Sequence, residues 1–116
     1  MNALYDAAAP AQQAATDLAW RQRLPASATK LVLVFLCHHV DRTYRCYASL
    51  DKVERYTRLR RPTIQKHLRL LEARELIRCE PRATGTMYTI NMARLADEAG
   101  PTYEGAVARA SLRTAR

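Results

Sequence analysis

Residues 49–77, SLDKVERYTRLRRPTIQKHLRLLEARELI, decide the fold. They read as a short helix, a tight turn and a longer helix. Ser49 is placed to cap the first helix, with Leu50 and Val53 spaced to point inward. Leu59 anchors the turn at 57–59, and Pro62 suits the first turn of the next helix, where a missing N–H costs little. In that second helix, about 61–74, Ile64, His67, Leu68 and Leu71 recur at i, i+3, i+4 and i+7 and form one core face. The opposite face carries positive charge. Between Arg55 and Arg69 there are six basic residues and no Asp or Glu, so the cluster is expected to lack acidic partners within the chain.

Working outward, three regions are expected: an N-terminal extension at 1–25, a central domain at 26–92 and a C-terminal extension at 93–116. A helix is predicted at 11–23, with Pro10 at its first position and Ala14, Leu18, Trp20 and Leu24 as a partial apolar stripe. Leu24-Pro25 ends it. Ser27 is the predicted N-cap of a helix running to about Val40, apolar on nearly every side, as a central helix would be. Residues 44–48 suit a short strand. Residues 76–80 and 87–91 read as two strands around a turn at 81–86, making a hairpin. A last short helix at 92–99 is broken by Gly100-Pro101, and the remainder suits a weak amphipathic helix or disorder. The fold class is mainly α with a small β-hairpin, an α+β arrangement.

Composition sets the outer bounds. A chain of 116 residues, 48% apolar and 26% charged, supports one modest core. Its longest apolar run, 31–37, is far short of a membrane span, so no membrane partner is expected. The N-terminus lacks the basic and apolar regions of a signal peptide, which points to the cytoplasm. Cys37, Cys46 and Cys79 stand far apart, and an odd count without CxxC spacing suggests reduced thiols. Cys37 and Cys79 are expected in the core and Cys46 at an accessible strand position. The net charge of +8 favours a polyanionic partner. It belongs to the folded middle: residues 26–92 hold thirteen basic and six acidic residues.

Residues 26–92 resemble a winged helix-turn-helix DNA-binding domain. The order helix, short strand, helix, turn, helix, hairpin matches, and RRPTIQKHLRLLEARELI looks like the family's recognition helix and exit, S-R-x-T-V-x-x-H-L-x-x-L-E-x-x-G-L-I. Arg61, Thr63, Ile64, His67, Leu68, Leu71, Glu72, Leu76 and Ile77 stand at matching positions. The stretch 24–72 is most similar to modules of bacterial, plasmid and phage regulators and replication initiators. Three positions depart from the pattern. Glu75 replaces a Gly whose place often needs positive φ, and Thr57 replaces the Gly of the turn. Leu70 replaces an outward polar residue, which suggests a contact with another element or subunit.

The resemblance implies double-stranded DNA as partner. A helix fits the major groove, so Arg60, Arg61, Thr63, Gln65 and Lys66 are the candidate base readers. Arg58 belongs to the same basic cluster, and Arg69, one turn on, suits a phosphate. Ser49 brings a helix N-terminus that can meet a phosphate. Arg78 and Arg82 on the hairpin are placed to grip the backbone or the minor groove. The expected role is a transcriptional regulator, a repressor acting as a homodimer through Leu18, Trp20, Leu70 or the C-terminal segment, and nucleoid-associated when bound to DNA. Two other roles fit the residues: a plasmid or phage replication or partition protein binding origin repeats, and a protein-interaction module. No cofactor is expected. His38, His39, His67 and the cysteines lack metal-site spacing, and no nucleophile with a base or paired carboxylates points to an enzyme.

Overall fold

The computed structural model describes residues 3–99. The elements run α1 (Ala3–Trp20), α2 (Ser27–His38), β1 (Arg45–Ala48), α3 (Leu50–Thr57), α4 (Arg61–Ala73), β2 (Ile77–Arg82), β3 (Gly85–Ile90) and α5 (Met92–Ala99). This is a winged helix-turn-helix: a helical body with a small antiparallel sheet in the order β1-β3-β2. The C-terminal segment expected to be a weak helix or disorder lies outside the described residues.

The core is built around α2, whose Thr29, Val32, Leu33, Phe35, Leu36 and Cys37 are all buried. Helix α4 turns Ile64, His67, Leu68 and Leu71 toward it, as the 3.6-residue spacing predicts. The polar atoms at this seam are paired, with Thr29 Oγ1 and His67 Nδ1 2.8 Å apart. Leu76, Ile77, Tyr88, Ile90 and Leu95 close the same cluster from the sheet and α5.

Helix α1 departs from the expected 11–23. It begins before Pro10, contains that proline, and ends at Trp20. Proline in a helix interior removes one backbone hydrogen bond, and the alanines on both sides, the strongest helix formers, sustain the helix through it. The buried stripe differs in part: Leu18 and Leu24 pack against the core, but Ala8, Ala11, Ala15 and Ala19 are the buried residues, whereas Ala14 and Trp20 are exposed. Small side chains let α1 lie close to its neighbours, which larger residues on that face would prevent. Gln22 Nε2 donates to the Leu18 carbonyl at 3.0 Å and to the Leu95 carbonyl at 2.8 Å, tying the end of α1 to α5.

Other boundaries shift by a residue or two. Ala26, not Ser27, is the N-cap of α2, with no side-chain cap bond, and that helix stops at His38. The hairpin turn is shorter than 81–86. The strands continue to an Arg82–Gly85 pair, leaving only Ala83 and Thr84 between them, and Gly85 takes φ +145°. Pro81 is tolerated inside β2 because that strand pairs on one side only.

The exit from α4 is a Schellman motif. The Leu76 N–H donates to the Leu71 carbonyl at 3.1 Å and the Glu75 N–H to the Glu72 carbonyl at 2.9 Å. Glu75 sits at φ +62°, as the family's glycine there leads one to expect, and bears the cost that a side chain brings to this region. Glu75→Gly should therefore raise stability by about 0.5–1 kcal/mol after the unfolded-state entropy of glycine is deducted, measured by urea denaturation.

Candidate nucleic-acid interface

The interface is organised by the α3–turn–α4 unit. Ser49 caps α3, its Oγ accepting from the Lys52 N–H at 3.1 Å. The turn does not need its glycine at Thr57. That residue ends α3, buried, with its hydroxyl donating to the Val53 carbonyl at 2.6 Å and accepting from the Leu59 N–H at 3.3 Å. The left-handed residue is Arg58, at φ +61°, which leaves its side chain exposed at the bend. Leu59 packs on the core, and α4 starts after the N-cap Arg60 with Pro62 in its first turn.

Because Ile64, His67, Leu68 and Leu71 face inward, the other side of α4 presents Arg61, Pro62, Gln65, Lys66 and Arg69 to solvent, with Thr63 half-buried at its border. Leu70 is half-buried and stands outside the core cluster. Among the described residues Arg58, Arg60, Lys66 and Arg69 make no ion pair. Arg61 does, contrary to the expectation that the cluster has no acidic partners. Its Nε donates to Glu54 Oε1 at 2.9 Å and its Nη2 to Asp51 Oδ1. Both acids lie on α3, outside the acid-free window, and reach Arg61 only because the turn folds α3 against α4. The Glu54 hydrogen bond and the charges of both acids hold the guanidinium above its usual range.

The hairpin stands beside α4. A recess of about 330 Å³ runs between them, lined by Gln65, Arg69, Cys79, Pro81 and Thr86. A second, of about 280 Å³, brings Ser49, Asp51, Arg61 and Gly85 together. Ser49 and Arg82 share a third. Glu72 joins helix to wing, its Oε2 accepting from the Cys79 N–H at 2.9 Å. The hairpin arginines are not free cations, since Arg78 lies 3.5 Å and Arg82 3.1 Å from the carboxylate of Glu80. Arg78 sits apart from the others, at the base of the wing on the outer face of the sheet.

Sequence reasoning missed four residues here. Arg45 and Tyr47 share the outer sheet face with Arg78, through the rungs Arg45↔Thr89↔Arg78 and Tyr47↔Met87, and both are exposed. The alternation of β1 carried that signal. Asp51 and Glu54 were missed because nothing local announces a partner seven or ten residues away. The same alternation turns Cys46 inward: it is fully buried, not accessible, and burial pushes its thiol up to about 11. Cys37 is buried too, its thiol raised to about 12, while Cys79 is only half-buried.

The comparisons with known proteins agree with this geometry. Residues 22–77 match the family model of the helix-turn-helix domain, which supports a helix-turn-helix DNA-binding family for this stretch. No curated protein and no solved structure matches the chain. No described helix is long and apolar enough to cross a membrane.

The histidine at the α2–α4 seam gives this interface a pH dependence. Burial first, and then the charge of Lys66, lower His67 from its ordinary value of 6.5. His39, lowered chiefly by burial, acts in the same direction. A histidine depressed in the folded state binds its proton more readily in the unfolded chain. Its contribution is complete above the unfolded value and is lost as pH falls below it. Urea midpoints should therefore decline from about pH 6.5 downward, and His67→Gln should flatten part of that decline.

Proposed function

We propose that this protein binds double-stranded DNA sequence-specifically and regulates transcription, as a repressor acting through occupancy of its site. The observation that carries this reading is the exposed face of α4, where Arg60, Lys66 and Arg69 make no ion pair among the described residues, at the end of a helix-turn-helix. An α-helix fits the major groove, with its N-terminal residues at base edges. In this arrangement Arg60, Arg61, Thr63, Gln65 and Lys66 face the bases, and Arg58 and Arg69 face phosphates. Ser49 brings the α3 N-terminus to the backbone, and the wing approaches it with Arg82, Arg78 lying further out. The working compartment is the cytoplasm, on the nucleoid when DNA is bound.

Arg58→Gln combined with Arg69→Gln should weaken binding to any duplex and reduce the slope of log K against log salt by about 2, since each phosphate contact contributes about 0.9. Unchanged affinity would sink the DNA reading. Footprinting across a genomic library assigns the role: protection of its own promoter supports repression, and protection of repeat arrays at an origin supports the replication role instead.

We propose further that it acts as a dimer, because one recognition helix spans few base pairs and paired half-sites multiply specificity. Leu18 packs on its own core, so the interface is assigned to Trp20, which is 56% exposed at the end of α1. Sedimentation should show a dimer for the native chain and a monomer for Trp20→Ala.

A further inference from the structure

We infer that Arg61 reads a base edge, and that Asp51 and Glu54 hold it for that task and turn it away from phosphate. The inference rests on the DNA reading above and concerns the division of labour within α4. Arg61 is the first residue of that helix, the end that enters a groove. Among the described residues it is also the one arginine of the α4 face with side-chain ion pairs.

A guanidinium has five N–H donors in a planar fork. Glu54 takes Nε and Asp51 takes one hydrogen of Nη2. The hydrogens that remain are the two on Nη1 and one on Nη2. Together they form an end-on fork, the donor pair that matches O6 and N7 of guanine in the major groove. The arginine side chain is still 47% exposed, so the fork is open to a ligand. Two anchors also remove most of its rotamer freedom before DNA arrives, which lowers the ordering cost of binding.

Charge decides between base and phosphate. One guanidinium with two carboxylates is a group of net −1, and a phosphate approaching it meets both acids at short range. A base edge is neutral and meets no such repulsion. Arg58 and Arg69 make no ion pair among the described residues and keep their charge for the backbone. The exposed ion pairs themselves add little to folding stability, so positioning is their main consequence.

The test selects duplexes from a randomised pool with the native chain, Arg61→Ala and the double variant Asp51→Asn/Glu54→Gln, then measures salt dependence on the selected site. A native chain that binds no duplex would refute the underlying DNA reading. If it binds, Arg61→Ala should lose about five- to a hundredfold of discrimination at one guanine-containing pair with an unchanged salt slope. The double variant keeps Arg61 but frees it. Discrimination at that pair should fall, and the slope should steepen by about 0.9 as the guanidinium takes a phosphate. Two results would overturn the inference: a slope reduced by about 0.9 in Arg61→Ala with every base preference intact, or a double variant identical to the native chain in both readouts.

Discussion

The packing of α4 on α2 is the constraint from which the rest of the interface follows. Ile64, Leu68 and Leu71 bury their side chains there, with the Thr29–His67 pair satisfying the polar atoms inside the seam. A helix turns about 100° per residue, so rotating α4 by a single position would draw a charged residue such as Lys66 or Arg69 inward. Burying an unpaired cation costs far more than any surface contact returns. The apolar seam thus holds the basic side outward without any direct interaction among the basic residues.

That side is electrically uneven. Cations that make no ion pair interact with a polyanion through counterion release, a term that ignores sequence. Arg61, gripped by two acids from α3, is suited to a different task. The turn between α3 and α4 sets this contrast by bringing two acids of α3 within ion-pair distance of Arg61. On the wing, Glu80 already offsets Arg78 and Arg82. Helix and wing approach each other across shared recesses rather than as separate surfaces, and Glu72 fixes their spacing through the Cys79 amide.

Much of this was legible in the sequence, and the reasons are local. The inward face of α4, the Ser49 cap, the positive φ at position 75 and the succession of elements all rest on spacing and on single-residue conformational preference. What failed to show needed long-range information. Which face of α1 is buried could not be read from size, because the close approach to its neighbours selected Ala8, Ala11, Ala15 and Ala19 over Trp20. Proline at position 10 looked like a start, yet the alanine-rich flanks carried the helix through it. The acids paired with Arg61 come from the preceding helix, and only the angle of the turn brings them into reach. Cys46 was misplaced because its alternation with Arg45 and Tyr47 was not followed to the face it implied.

The sheet has two outer edges, and both are poor templates for strand addition. One is β2, where Pro81 removes a backbone donor and two arginines flank the exposed rim. The other is β1, only four residues long and carrying Arg45 at its start. Short edges interrupted by proline and charge resist pairing with strands of neighbouring copies. When many copies crowd along one polyanion, their wings can lie close together without fusing into a continuous ribbon.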